Sequence, residues 1–118
     1  MGSRWFGLVV DSRDPARLAR WWAEVLGYRI MVEQPGQVAI ARDGQTLPGL
    51  VFVPVAEAKA GRNRLHLDLD PEDQAAEIER LVDMGARPVD SPDATHRVML
   101  ADPEGNEFCV LRTQPVRA

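Results

Sequence analysis

The sequence contains a single cysteine, Cys109, among its 118 residues. One cysteine excludes a disulfide within the chain, and it excludes zinc or iron–sulfur sites that need several thiolates from one chain. Long apolar runs are also missing, since none approaches the roughly 20 residues that a membrane-spanning helix needs. The first residues lack the apolar core of a secretory signal. We therefore expect a cytoplasmic protein.

Lysine is almost absent as well, because Lys59 is the only lysine among the 14 lysine and arginine residues. The arginines occur singly along the chain, and the formal net charge is -4. An acidic chain without a basic cluster is expected to bind neither nucleic acid nor an anionic membrane. The 45% of hydrophobic and 27% of charged residues are typical of a globular protein, and the length suits one domain spanning residues 1–118.

The two halves of the chain repeat one helix pattern. Asp14 and Asp70 are suitable N-cap residues, and each precedes a proline that fits the first helical position. Gly27 and Gly85 are suited to the left-handed conformation that ends a helix. Between these signals, apolar side chains recur at helical spacing: Leu18, Trp21, Trp22, Val25 and Leu26 in the first half, and Ala75, Ile78, Leu81 and Val82 in the second.

Each predicted helix follows one strand and precedes three others. The predicted strands are 5–11, 29–33, 37–42 and 50–55 in the first half, and 64–69, 87–90, 97–101 and 107–112 in the second. The order βαβββ therefore occurs twice, which predicts an α+β protein. Module one spans about residues 4–55, the linker 56–62, and module two about 63–113.

Alternation along the strands predicts which side chains share a face. In the strand 64–69, Arg64, His66 and Asp68 lie on one face and the leucines on the other. The last strand alternates in the same way, with Glu107 and Cys109 on its mixed face. We expect the helices to cover the apolar faces and the mixed faces to line a cup for a small organic molecule.

Three motifs together resemble the vicinal-oxygen-chelate superfamily, which includes glyoxalase I, bleomycin-resistance proteins and extradiol dioxygenases. The motifs are the first helix with its paired tryptophans and terminal Leu26-Gly27, the strand segment His66–Leu69, and the turn Asp102–Asn106. The resemblance covers residues 5–113 and is closest to small bacterial glyoxalase-like domains. It implies the glyoxalase-like fold, in which two βαβββ modules form a curved mixed sheet, shaped as a cup, with the helices on its outer face.

Enzymes of this superfamily hold a divalent metal with side chains from the first, fourth, fifth and eighth strands. The resemblance carries these positions to Gly7, to a residue at or near Phe52, to His66 and to Cys109. Glycine and phenylalanine cannot coordinate a metal, and one histidine with one cysteine is two ligands short of a tetrahedral site. The resemblance thus implies that the usual metal site is lost, and we expect no stably bound metal and no other cofactor. Zinc is the one exception, since it accepts both the His66 imidazole and a Cys109 thiolate, but a two-ligand site should lose it to mild chelation.

The candidate catalytic residues are His66, Asp68 and Glu107, because a histidine beside a carboxylate can transfer a proton. Each also has a structural interpretation. His66 is equally well explained as a satisfied interior histidine, and Glu107 as a solvated carboxylate at a strand end. Asp68 either orients His66 or pairs with Arg64.

The candidate ligand-binding residues are Trp5, Gly7, Phe52, Arg64, His66 and Cys109. Trp5 offers a ring for stacking, Gly7 enlarges the cup, and Phe52 supplies an apolar wall. Cys109 is also explained as a small buried hydrophobic side chain, since no cationic cluster in the sequence marks it as a nucleophile.

Three functions remain open at this point. The first is a metal-free binding protein for a planar or hydrophobic small molecule, as in the bleomycin-resistance branch. The second is a lyase or isomerase that uses His66 with Asp68 or Glu107, although no electrophile replaces the lost metal. The third is a non-catalytic dimerisation or regulatory module, which a cup filled by its own side chains would favour. We expect a twofold homodimer in each case, because exposed sheet edges are commonly buried in this way.

Overall fold

The computed structural model describes residues 2–91 and 97–112. The predicted end of module two, residue 113, lies outside these ranges. The chain divides into two compact units, Met1–Ala58 and Lys59–Ala118, and their boundary falls inside the predicted linker. Neither helix of the described residues has the length and apolarity needed to cross a membrane.

The first unit has the order βαβββ. Its elements are β1 (Gly7–Ser12), α1 (Pro15–Leu26), β2 (Arg29–Gln34), β3 (Gln37–Ala41) and β4 (Gly49–Pro54). The sheet order is β1-β4-β3-β2, with β1 parallel to β4 and the other pairs antiparallel. The first strand of the unit thus lies beside the last.

Helix α1 forms where its caps and apolar stripe predict. The Asp14 carboxylate accepts a hydrogen bond from the Arg17 N–H at 3.3 Å, and Gly27 ends the helix with φ 68°. The buried side of α1 packs on β3 and β4. On that side the rings of Trp21 and Trp22 meet edge to face, with centroids 5.0 Å apart. Leu50 and Phe52 of β4 are buried, which confirms that the apolar sheet face belongs to the core.

The second unit repeats the same topology. Its elements are β5 (Asp68–Leu69), α2 (Gln74–Asp83), β6 (Arg87–Pro88), β7 (Arg97–Ala101) and β8 (Glu107–Leu111). The sheet order is β5-β8-β7-β6, again with the first strand parallel to the last. The prediction of an α+β protein with two βαβββ modules is confirmed.

Three predictions for the second unit are wrong in their boundaries, the smallest being the strand predicted over 87–90, which ends at Pro88. The strand predicted over 64–69 is reduced to β5, and Leu65 is 82% exposed, so alternation does not extend back through the preceding loop. The second helix begins after Asp73, not after Asp70. The side chain of Asp73 accepts the Ala76 N–H at 3.0 Å, and the residue that satisfies a first-turn N–H is the one that caps the helix.

The turn before β8 is organised by one buried carboxylate. Asp102 is fully buried, and its Oδ1 accepts the N–H groups of Glu104 and Asn106, each at 2.9 Å. The Asn106 side-chain amide also donates to Asp102, at 2.9 Å to Oδ2. These bonds explain the Asp102–Asn106 motif, and they fix where β8 begins.

Candidate functional site

A cavity of about 300 Å³ lies on one face of the second unit. The strands β7 and β8 contribute Arg97, Met99, Glu107 and Cys109 to its lining. Loop segments contribute Arg62, Asn63, His66 and Ser91. The volume is at the lower end of the range found for small-molecule sites, about 300–1,000 Å³.

Strand pairing brings the central residues of this cavity onto one sheet face. Cys109 pairs with Met99 of β7 on one side and with Asp68 of β5 on the other. Cross-strand partners point to the same face. Phe108 and Val110 point to the opposite face and are buried in the core, as the alternation predicts.

Glu107 is held by two partners rather than left in solvent. Its Oε1 lies 3.0 Å from the Lys59 Nζ and accepts the Asn63 N–H at 3.0 Å. Burial by itself raises the pKa of Glu107, but the hydrogen bonds from Asn63 and Lys59 outweigh it, so that the pKa is lowered overall. Glu107 is therefore ionised at neutral pH and ties the segment 59–63 to β8. This structural role competes with proton transfer by the same carboxylate.

His66 and Asp68 lie close together, with 3.3 Å between the His66 Nε2 and the Asp68 Oδ1. Their side chains are 32% and 45% exposed, so both groups are within reach of solvent. The contact favours the interpretation that Asp68 orients His66. Arg64, in contrast, is exposed in the loop before β5 and lies outside the cavity lining in the part of the chain that the structure describes.

Cys109 is completely buried within its strand, yet it lines the cavity. Burial, followed by the negative charge of Asp68, raises the pKa of the Cys109 thiol, and Arg97 opposes this only in part. The thiol is consequently protonated at neutral pH, which does not suit a nucleophile. The thiol sulfur lies within 4.8 Å of a ligand atom on both His66 and Asp68.

Trp5 and Gly7, the candidate residues at the start of the first unit, do not line this cavity. Trp5 is 63% exposed, and its Nε1 donates to the Gly7 carbonyl oxygen at 3.2 Å. A Cβ at Gly7 would lie 3.2 Å from the Gly49 carbonyl oxygen, so the glycine permits close approach of β1 to β4.

Phe52 requires a correction. It is 0% exposed and pairs with Val10 of β1, whereas Gly7 lies on the other face of that strand. Because successive side chains alternate, Phe52 belongs to the core beneath α1 and does not form a ligand wall.

A family model described as a glyoxalase-like domain matches residues 7–111. The chain belongs to this family. This family match confirms the resemblance of the chain to the glyoxalase-like domains of the vicinal-oxygen-chelate superfamily. A search of the curated proteins found no match.

Three similar structures illustrate the range of the fold. The fosfomycin resistance protein FosX from Mesorhizobium loti has a TM-score of 0.71 at 18% identity, covering 98% of this chain and 95% of that one. The trypanothione-dependent glyoxalase I of Leishmania major has a TM-score of 0.69 at 14% identity, covering 94% and 87%. The antibiotic-binding protein TnmS3 from Streptomyces sp. CB03234 has a TM-score of 0.65 at 22% identity, covering 95% and 97%. At these identities the likeness establishes the fold alone.

The metal site typical of the superfamily does not fit this glyoxalase-like domain. Gly7 has no side chain, and Phe52 lies in the core. The neighbours of Phe52 on the other face of β4 are Val51 and Val53, whose hydrocarbon side chains cannot coordinate a metal. Of the family's ligand positions, only His66 and Cys109 offer donor atoms here.

Sequence reasoning missed several lining residues, and only some of them left a signal. Met99 is the cross-strand partner of Cys109, and Arg97, two residues earlier in β7, lies on the same sheet face. The alternation used for β8 could therefore have identified both residues. Arg62 and Asn63 lie in and beside the predicted linker, where no periodicity exists. Ser91 is held beside the cavity by its hydroxyl, which accepts the Met99 N–H at 2.8 Å and donates to the Val89 carbonyl oxygen at 3.2 Å.

Proposed function

We propose that this glyoxalase-like domain binds a small organic molecule with an anionic group in the cavity of its second unit. It acts as a binding protein of the bleomycin-resistance type, without the superfamily's four-ligand metal site. The observation that carries this proposal is the cavity of about 300 Å³, whose lining combines two guanidinium groups with the less polar surface of Met99 and Cys109. Few polar groups among apolar walls are typical of a small-molecule site.

The charges around the cavity favour an anionic ligand. Arg62, Arg97 and the carboxylate Glu107 line it, and the Asp68 carboxylate lies at its edge, 3.3 Å from the lining residue His66. Lys59 offsets the negative charge of Glu107 at 3.0 Å. A guanidinium group offers paired N–H donors that match a carboxylate or phosphate. Met99 and Cys109 supply the surface against which an apolar or aromatic body can pack.

One structural relative, TnmS3, is an antibiotic-binding protein, which supports a binding role for this fold. A module that served only dimerisation would be favoured by a cup filled with its own side chains, whereas the second unit has an open cavity.

A matched pair of probes tests the proposal. Thermal denaturation is measured with 2-naphthoate and with its neutral amide, 2-naphthamide, in buffer that contains a chelator. We expect 2-naphthoate to raise the Tm by several degrees, since a ligand at 100 times its Kd stabilises by about 2.7 kcal/mol. The amide should give a smaller rise.

Two arginine variants complete this experiment. Arg97→Gln should reduce the effect of 2-naphthoate, while Arg29→Gln, an exposed change in β2 of the first unit, should leave it intact. Equal stabilisation by acid and amide would contradict the recognition of an anion. No stabilisation by either compound would contradict the binding of aromatic acids of this size.

A second candidate function is a lyase or isomerase reaction, and the contact of 3.3 Å between His66 and Asp68 favours it. A histidine held by a carboxylate can remove a proton from carbon beside a carbonyl group. Phenylpyruvate in D₂O provides the test, with NMR following the exchange of its methylene protons. Acceleration above the buffer rate that is lost in His66→Gln would support catalysis. Exchange at the buffer rate would contradict catalysis and leave binding as the only function proposed.

We also propose that the chain forms a homodimer. β1 is an edge strand of the first sheet, and Val9 on it is 61% exposed. The preceding Trp5 and Phe6 are 63% and 70% exposed. Burial in a second copy is a common way to protect such an edge. Light scattering should report twice the chain mass of 13.1 kDa at tens of micromolar protein, and a mass of one chain would contradict the proposal.

A further inference from the structure

We propose that His66, Asp68 and Cys109 form a zinc site contained in the second unit, with a donor set different from that of the superfamily. The ligand atoms of the three residues all lie within 4.8 Å of one another. Two of the residues occupy family ligand positions, but the third, Asp68, does not. The site therefore needs no contribution from the first unit, where the corresponding positions lack donor atoms.

The cluster follows from how β5 meets β8. Asp68 and Cys109 are direct partners in the parallel pair, so their side chains share a face. The Cys109 N–H donates to the Leu67 carbonyl oxygen at 2.8 Å, which extends the pairing one residue before β5. The bond holds the backbone next to His66 against β8, and the His66 imidazole nitrogen lies within 4.8 Å of the Cys109 sulfur.

The distances are close to those that zinc requires. Zinc binds nitrogen and oxygen at about 2.0–2.2 Å and sulfur at about 2.3 Å, so tetrahedral ligand atoms are roughly 3.3–3.8 Å apart. The present separations of up to 4.8 Å need to close by about one ångström. His66 and Asp68 are partly exposed and can make this movement by rotation of their side chains, while the strand holds Cys109 in place.

The donor chemistry favours zinc over Mg²⁺ and Ca²⁺. A thiolate with an imidazole and a carboxylate suits Zn²⁺, whereas Mg²⁺ and Ca²⁺ prefer oxygen ligands. Three protein ligands leave the fourth position of a tetrahedral site for water or for a molecule in the adjoining cavity. Zinc displaces the thiol proton of Cys109, because the thiolate is the form that binds metal.

Zinc affinity is measured on the full chain by competition with a chromogenic chelator. We expect one equivalent to bind. Loss of even an outer-shell partner commonly costs about 10–100-fold in metal affinity, so His66→Gln, Asp68→Asn and Cys109→Ser should each weaken binding by at least about tenfold. Asp90→Asn, which removes an exposed carboxylate of the same unit, should leave the affinity unchanged.

Two further measurements separate this site from adventitious binding. Cobalt(II) should give a thiolate-to-metal charge-transfer band in the wild type, and Cys109→Ser should abolish it. Zinc binding should also release the thiol proton, measured with a pH indicator in weakly buffered solution, and Cys109→Ser should lose that part of the release.

The proposal is overturned if all variants bind zinc like the wild type, or if the cobalt complex lacks a thiolate band. Far-UV circular dichroism checks that each variant is folded. Should Cys109→Ser fail to fold, the cobalt spectrum of the wild type and the affinity of Asp68→Asn still decide the question, because Asp68 has a side chain that is 45% exposed.

Discussion

The two units share one topology but carry different chemistry on the sheet face away from the core. Along β1 and β4 of the first unit, this face carries Val9, Val51 and Val53, with Asp11 as the one titratable group of these two strands. The corresponding face of β5 and β8 carries Asp68, Glu107 and Cys109. Packing against the helix constrains one face in both units, whereas the other face is free to differ. The repeated pattern therefore predicts the fold, and the candidate site lies where the second unit carries polar side chains that the first unit lacks.

The first way to sharpen this comparison is to disturb the core of the unit that lacks the site. Phe52→Ala should destabilise the protein by about 3–5 kcal/mol, the usual cost of removing a buried aromatic ring. Denaturant unfolding measures the change. Phe52→Leu is the control, and it should cost less because more of the volume remains. Unchanged stability combined with weaker binding of 2-naphthoate would restore Phe52 as a ligand wall.

The second test compares the equivalent hairpin turns. Asp102 and Asp43 each precede the last strand of their unit, and each carboxylate accepts backbone N–H bonds. Asp102 is fully buried, so Asp102→Asn should cost about 1.5–3 kcal/mol, the usual worth of hydrogen bonds to a charged group. Asp43→Asn should cost much less, because water can replace its bonds at the surface. Equal losses of unfolding free energy in Asp102→Asn and Asp43→Asn would show that burial of Asp102 does not strengthen its contribution to stability.

The third and smallest effect is a dependence on pH. The pKa of Glu107 is lowered in the folded state by the combined hydrogen bonds that exceed its burial penalty. Its contribution to stability is therefore present above the unfolded pKa, about 4.3, and is lost as the pH falls through the lower folded pKa. Glu107→Gln should flatten the acid limb of a plot of unfolding free energy against pH. If the acid limb is the same in Glu107→Gln and in the wild type, the contacts of Glu107 with Lys59 and Asn63 contribute nothing to stability in that pH range.

The fold was predictable because local signals and periodicity agree in both halves. Asp14, the α1 stripe and Gly27 are all placed as predicted, since a cap, an apolar face and a left-handed glycine each act locally. The second helix was misplaced at its start because Asp70 and Asp73 can both cap a helix, and Pro71 after Asp70 suits the first helical position. The structure uses Asp73.

The site was predictable only where strand alternation reaches. Glu107 and Cys109 were assigned to the correct face, because β8 is regular over five residues. His66 lies in the loop before β5, where the predicted strand does not form, yet its imidazole lies 3.3 Å from Asp68, in keeping with the face that alternation assigned to both residues. Phe52 was misassigned by one residue of register, and in a strand one residue reverses the face.

The pairing of first strand with last has a consequence for how this chain emerges from a ribosome. Among the residues that the structure describes, β5 pairs with β8. Asp68 therefore cannot form this pairing until β8, near the end of the unit, has been synthesised. Such non-local pairing delays folding, because a long loop must close before the contact forms. A chain cut before Glu107 keeps His66 and Asp68 but loses both the thiol and the strand that aligns them. The donor cluster is thus among the last features of its unit to exist during synthesis, and any truncation that removes β8 abolishes it.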